Sequence, residues 1–281
     1  MTIAIVRTIA ELRAAIRSFR AAGESVGLVP TMGALHDGHL ALARTAKRSC
    51  DRVVASIFVN PTQFGAHEDL ASYPRDEAQD IALLQSVGTD LAFIPDAREI
   101  YPAGFATEVR VKGLTDHLCG VCRPGHFEGV ATVVAKLLNQ ARCDSAYFGE
   151  KDFQQLQVIR RMARDLDVLT EIIGVPTLRE PDGLAMSSRN RYLSAAERAI
   201  AGALPRFLQQ AAAALADGAP AAPRLDAVKR ALSAAGFAKI DYVELCDETS
   251  LQPVAAAGRN SRLFAAAHVG RTRLIDNWPV Q

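Results

Sequence analysis

Between Arg52 and Val59 the chain reads RVVASIFV. This is a short apolar run with no alternation of polar and apolar residues. Such a run is the mark of a strand covered on both faces, as in a parallel sheet. A strand of that kind needs helices on either side, and the neighbouring sequence supplies them. His39–Ser49 and Asp76–Val87 carry apolar residues at helical spacing, the second with Ile81, Leu84 and Val87 on one face. Ser25–Val29, Leu91–Ile94 (stopped by Pro95), Ala146–Phe148 and Glu171–Val175 read as further strands. Phe127–Arg142, with Val130, Val133, Val134, Leu137 and Leu138 in register, and Asp152–Asp165 read as helices. The alternation predicts an α/β fold: a Rossmann-like, doubly wound parallel sheet. Right-handed crossovers would bring the loops that follow the strands to one edge, where such sheets take ligands.

The pattern changes after Asn190. Ala195–Asp217 reads as one long Ala-rich helix with Pro205 inside it, GAPAAP (218–223) as a loop, and Leu225–Ala235 as a second helix. Lys239–Leu245, Arg262–His268 and Arg271–Ile275 are strand candidates. Helices followed by strands predict a second, smaller α+β domain, so the chain is divided into 1–176 and 177–281.

Composition removes some functions. The 281 residues carry 32 Lys+Arg against 31 Asp+Glu, a net charge of +1, which leaves no footprint for nucleic acid or an anionic membrane. No apolar run reaches the roughly 18 residues of a membrane span, and the N-terminus lacks a signal-peptide apolar region. The sequence reads as that of a cytoplasmic protein. Five widely spread cysteines do not make a disulfide framework. Cys119 and Cys122 form a C-x-x-C. With His117 and His126 close by, a Cys2His2 zinc cluster is conceivable, and two thiols in a loop is the plainer reading, which we prefer.

The chemistry concentrates in VPTMGALHDGHLALARTAKRS (29–49). A strand ends, Thr31-Met32-Gly33 turns tightly, and a helix starts with His36 and His39 three residues apart. Backbone N–H groups at a helix start and its positive dipole end favour an anion. Imidazoles add donors for phosphoryl oxygens. A pair of surface histidines with Asp37 as helix cap is the bland alternative. It explains neither the Gly33 turn nor the second histidine.

H-x-G-H at a first strand-to-helix turn resembles the signature of the nucleotidyltransferase superfamily, which attacks the α-phosphate of a nucleotide and releases pyrophosphate. Other segments narrow the resemblance: PTMGALHDGH (30–39), IFVNPTQF (57–64), RPGHFEGV (123–130), FGEKDFQQL (148–156), GLAMSSRNRYL (183–193) and the closing TRLIDN. In that order, over nearly the whole chain, they are similar to the pantothenate synthetase (pantoate–β-alanine ligase) family.

The resemblance implies ATP-dependent condensation of pantoate with β-alanine through a pantoyl adenylate. It implies His36, His39, Lys151 and Arg189 as the catalytic groups. ATP would lie against these and Met32, Gly33, Gly38, Gly149, Glu150, Asp152, Leu178, Met186, Ser187 and Ser188. Gln63, Gln155 and Asn60 would hold pantoate or β-alanine, an amide being able to offer donor and acceptor together. Gln154 and Gln157 lie beside Gln155, so the choice among them rests on the family. Mg²⁺ would arrive on the ATP phosphates rather than in a protein cage. The resemblance also implies a homodimer and a C-terminal domain that serves as a lid, with the MSSR segment closing on the triphosphate. Arg123 reads as reaching a phosphate or a partner subunit, His126 as a helix-start residue, and Tyr73 as a contact to substrate or partner. A simple nucleotidyltransferase, or a nucleotide-binding regulator without turnover, are the alternatives. The NPTQF and MSSR segments and the extra domain argue against the first. Both histidines, Lys151 and the MSSR loop stand against the second.

Overall fold

A computed structural model describes residues 2–65 and 68–280. The chain forms two compact units: Met1–Val111, Arg123–Glu150 and Val158–Pro176 make the first, and Lys112–Cys122, Lys151–Gln157 and Thr177–Gln281 the second.

In chain order the elements up to the second strand–helix pair are β1 (Ala4–Val6), α1 (Ile9–Ala21), β2 (Val26–Thr31), α2 (Asp37–Ser49) and β3 (Arg52–Ile57). Then come α3 (Glu77–Ser86), β4 (Leu91–Phe93), α4 (Ala97–Ile100), α5 (Cys119–Cys122) and α6 (His126–Ala141). β5 (Ser145–Gly149), α7 (Phe153–Asp165) and β6 (Glu171–Val175) follow. The remainder comprises α8 (Ala195–Ala201), α9 (Ala203–Ala216), α10 (Ala221–Ala234), β7 (Lys239–Asp247), β8 (Ser261–Val269) and β9 (Thr272–Val280).

The first unit holds a six-stranded sheet of order β1-β4-β3-β2-β5-β6, with every pairing parallel. This is the doubly wound α/β sheet that the apolar runs predict. β2 and β3 pair from Val26↔Arg52 to Thr31↔Ile57, and β3 is buried from Val53 to Ile57. Its side chains alternate between faces: Val53, Ala55 and Ile57 join Leu42, Ala43, Ala46 and Leu84 in one core cluster. At Gly27 a Cβ would lie 3.0 Å from Cys50 Sγ and 3.2 Å from the Tyr147 ring, so only glycine lets the helix and strand approach so closely. From β2 the chain winds outward through β3 and β4, then returns to β5 on the other side of β2. The order thus reverses between β2 and β5, and the carboxyl ends of these two strands flank the crevice where doubly wound sheets bind ligands.

The second unit has a three-stranded antiparallel sheet, β7-β8-β9. Leu204, Leu208, Ala211 and Leu232 from its helices pack with Val243, Leu245, Leu263 and Leu274.

Some boundaries differ from expectation. The long helix expected over 195–217 is two helices, divided at Gly202, where a Cβ would come 2.8 Å from Asp182 Oδ2. Pro205 therefore lies in the first turn of α9, where its missing N–H costs no helix bond. The same rule lets α10 begin inside the GAPAAP stretch, with Pro223 in its first turn. β1 and α1 were not among the expected elements, although the Thr8–Glu11 capping box that starts α1 has a legible T-x-x-E spacing. Among the described residues no helix is long and apolar enough to cross a membrane.

Candidate active site

The turn after β2 is held from beneath by a residue of α3. Gly33 has φ +80° and Ala34 φ +51°, both in the left-handed region, so glycine suits the first position. A Cβ on Gly33 would also meet Asp80 Oδ2 at 2.8 Å. Asp80 is 2% exposed, and its carboxylate accepts the N–H groups of Ala34 (2.9 Å) and Leu35 (2.7 Å). Gly33 N–H donates to Thr31 Oγ1 at 3.2 Å, and that hydroxyl donates to Ser56 O at 2.7 Å. A buried carboxylate from 46 positions downstream thus fixes the turn that presents the histidines.

The helix start is different from the expected open cradle of amides. The N-cap of α2 is His36, not Asp37: Gly38 N–H donates to His36 Nδ1 at 3.1 Å, and His36 N–H points at His39 Nδ1 at 3.4 Å. The N–H groups of His39 and Leu40 both reach His36 O. These amides are therefore committed within the turn. The commitment has a chemical consequence. A ring whose Nδ1 accepts carries its proton on Nε2 when neutral. Nε2–H is then the ring donor of each neutral imidazole. The two rings lie 4.2 Å apart, centroid to centroid.

Asn60 and Gln63 come together in the turn after β3. Asn60 is fully buried and its amide is saturated. Nδ2 donates to Gln63 Oε1 and to Gly129 O, both at 3.1 Å, while Oδ1 accepts from Tyr101 OH at 2.8 Å and Thr62 Oγ1 at 2.9 Å. Burial pushes the Tyr101 phenol up, against its hydrogen bonds to Thr62 and Asn60, so it stays a donor. Gln63 Nε2 donates to Met32 Sδ at 3.0 Å. Asn60 thus holds Gln63 rather than offering itself to a ligand. An amide has two N–H groups and two lone pairs; among the described residues, these contacts use one of each on Gln63. Phe64 stacks edge-on against Tyr73, 5.8 Å between centroids, and Tyr73 is buried.

After β5, Gly149 leads into a 3₁₀ turn, Glu150–Asp152. Within the second unit Lys151 Nζ lies 3.7 Å from Asp152 Oδ2, with a side chain 19% exposed. Its carbonyl accepts from Asn277 Nδ2 at 2.9 Å. Asn277 is held in turn by Arg262, whose Nη1 donates to Asn277 Oδ1 at 2.6 Å and whose guanidinium lies 3.9 Å from the Phe153 ring centroid. Neighbouring Asp276 takes both terminal nitrogens of Arg179 at 2.8 and 2.9 Å. The closing LIDN of β9 therefore anchors the backbone of Lys151 and the start of the 178–192 segment. Sequence reasoning gave Asp276 and Asn277 no role; two adjacent polar residues in a strand, each 4% exposed or less, are the signal that was available.

Leu178 and Met186 are joined by a backbone bond, Met186 N–H to Leu178 O at 3.0 Å, beside an isolated bridge between Arg179 and Ala185. Ser187 caps the 3₁₀ turn Ser188–Tyr192 through Arg189 N–H, at 3.3 Å. Met186, Ser187, Ser188 and Arg189 are half-buried. On α7, Gln154 and Gln155 separate cleanly. Gln154 is buried and spent on the 114–119 backbone, accepting from Cys119 N–H and donating to Leu114 O and His117 O. Gln155 is half-buried.

The C-x-x-C forms a single helical turn, α5, rather than a loop. Cys119 Sγ lies 3.1 Å from Tyr242 OH and 3.6 Å from Arg273 Nη1 and Nη2, and Cys122 is exposed. All five thiols are free. Among the described residues no group of three or more His, Cys, Asp or Glu is placed to hold a metal ion.

The sequence model described as pantoate-beta-alanine ligase matches residues 4–279. The pantothenate synthetase of Sphingopyxis alaskensis is 57% identical over 276 residues, 98% of this chain and 99% of that protein. That of Caulobacter vibrioides is 54% identical over 279 residues, 98% of each. Among solved structures, the pantothenate synthetase of Thermus thermophilus superposes with a TM-score of 0.94 at 49% identity, covering 99% of both chains. The Francisella tularensis pantoate-beta-alanine ligase, complexed with beta-gamma ATP and beta-alanine, gives 0.85 at 36% identity, covering 99% of this chain and 97% of that one.

Proposed function

The chain belongs to the pantoate–β-alanine ligase family, and from that premise we propose how its residues carry out the family's reaction, the ATP-dependent joining of pantoate and β-alanine to give pantothenate. The pantoate carboxylate attacks the α-phosphorus of ATP and pyrophosphate leaves. The amine of β-alanine then attacks the acyl carbon of the pantoyl adenylate, loses a proton, and AMP departs. Neither step needs a protein nucleophile, so positioning and charge stabilisation supply the rate.

One observation carries the assignment of roles: Gln63, the amide suited to a hydroxy acid, bonds Met32 in the same turn that presents His36 and His39. An acid-activating enzyme needs its carboxylate beside the α-phosphate, and this contact supports that juxtaposition. His36 and His39 donate through Nε2–H to phosphoryl oxygens as charge builds there. Lys151 and Arg189 neutralise the phosphates, and Ser187 and Ser188 donate to them. Met32, Gly33, Gly38, Gly149, Glu150, Asp152, Leu178 and Met186 line the nucleotide. Gln63 and Gln155 hold pantoate, with Asn60 fixing Gln63. Mg²⁺ comes with ATP, bound by phosphates and water. The homodimer and the lid role of 177–281 belong to the same proposal. So does action in the cytoplasm.

Isotope transfer tests the intermediate. With pantoate labelled by ¹⁸O in its carboxylate, ATP, Mg²⁺ and β-alanine, one ¹⁸O should appear in the phosphate of AMP. Unlabelled AMP would rule out the acyl adenylate. Pyrophosphate release without AMP formation on adding β-alanine would point to a nucleotidyltransferase instead.

A further inference from the structure

The RPGHFEGV segment has no place in the chemistry above, yet three of its residues converge on one target. His126 and Gly129 stand three apart in the first turn of α6, which puts them on one helix face, and Arg123 lies in the turn just before it. All three meet the backbone of Thr62–Gln63.

His126 is buried at the start of α6. Its Nε2 lies 2.9 Å from Arg123 Nη1. A guanidinium only donates, so Nε2 must accept. In the neutral ring the proton then sits on Nδ1, and Nδ1–H donates to Gln63 O at 2.9 Å. Arg123 therefore selects the tautomer that Gln63 requires. Arg123 is itself fixed by Glu68: Nε and Nη2 each reach a carboxylate oxygen at 2.6 Å, a two-pronged pairing with a defined plane. Arg123 Nη2 adds a longer bond to Gln63 O at 3.4 Å. One turn on, a Cβ at Gly129 would come 2.7 Å from Gln63 N and closer still to Thr62 O, so α6 lies directly on this backbone. Gly129 O also receives Asn60 Nδ2, the group that holds the Gln63 side chain.

We propose that Arg123, His126 and Gly129 are positioning residues for Gln63, with Glu68 holding Arg123: the relay fixes the backbone of Gln63 while Asn60 fixes its amide. The expected role of Arg123 toward a phosphate or a partner subunit is replaced by this one. The inference rests on the reading that Gln63 binds pantoate, and the test separates the two.

The probe is a pair of amide substitutions. In His126→Asn the side-chain N–H falls where Nδ1–H was; in His126→Gln it falls near Nε2. His126→Gln and His126→Ala should raise the KM for pantoate about tenfold, the usual effect of one lost positioned hydrogen bond, with the KM for ATP little changed. His126→Asn should recover most of that loss. In a Gln63→Ala background, His126→Ala should add no further rise. If His126→Asn is as impaired as His126→Gln, the relay is wrong. An undiminished effect of His126→Ala in the Gln63→Ala background is equally fatal, since His126 would then act independently of Gln63. If Gln63→Ala itself leaves the pantoate KM unchanged, it is the reading of Gln63 that fails. A readout free of substitutions is the ¹⁵N spectrum of the intact protein, in which the His126 ring should carry its proton on Nδ1. A proton on Nε2 would overturn the proposal.

Discussion

In the turn after β2, Gly33, Ala34 and Leu35 are buried, two of them take left-handed backbone angles, and each amide has an acceptor inside the protein. In the segment from Met186 to Tyr192 the residues are half-buried or exposed. Around that segment Arg189 N–H donates to Ser187 Oγ, and Asn190 Nδ2 donates to Ala185 O and Glu180 Oε1. Both stretches carry residues proposed to meet ATP, but the first is buried and tied to α3 through Asp80, while the second is half-buried or exposed. The difference suits the roles proposed for each. Groups that meet charge as it develops gain most from being fixed beforehand. Groups that receive a ligand need room to rearrange, and such segments are drawn from the less stable parts of a fold.

Substitutions at the two stretches can break this contrast. The largest expected effect is on turnover. His39→Ala and Lys151→Ala should each lower kcat about 10²- to 10³-fold, as the loss of one preorganised donor commonly does, with unchanged circular dichroism. Near wild-type turnover in either variant would remove that residue from the reaction centre. Next comes Asp80→Ala, which leaves the Ala34 and Leu35 amides buried without their acceptor. Denaturant unfolding should show a loss of about 2–5 kcal/mol, with Asp80→Asn in between. Ser187→Ala should lower stability by about 1 kcal/mol, the typical worth of a helix cap, and raise the KM for ATP a few-fold. If Asp80→Ala proved as mild as Ser187→Ala, the two stretches would not differ in the way described.

The smallest effect is confined to acid. Burial pushes the Glu68 carboxyl up, but hydrogen bonds and charge from Arg123 outweigh it and hold the group at about 2, against an ordinary 4.5. A value depressed in the folded state means that the stabilisation is complete above pH about 4.5 and is lost as pH falls from there through about 2. The stability gap between wild type and Glu68→Gln should be flat from about pH 5 to 8 and shrink below pH 4.5. A gap that changed near neutrality would mean that another group titrates with the pair.

How much of this was legible depends on range. The helix and strand types, the run at Arg52–Ile57 and the His36/His39 turn followed from local periodicity and turn chemistry. The break at Gly202 is not legible in an Ala-rich stretch, and the close approach of Asp182 to that position is visible only in the folded chain. The family resemblance and its residue type place Asn60 among the substrate groups; nothing nearby in the sequence announces that Tyr101, Gly129 and Gln63 take up its amide.

By itself, then, the sequence determined a doubly wound parallel sheet, a following α+β region and the family, because periodicity and motif spacing are properties of short stretches. The tertiary structure decided that β5 returns beside β2, that the amides at the start of α2 turn inward onto two imidazoles, and that Asp80 and Asn277 support groups 46 and 126 positions away. A polar side chain takes whichever partner the folded chain brings within about 3 Å, and that choice is made across the sheet and between layers, where no local pattern reaches.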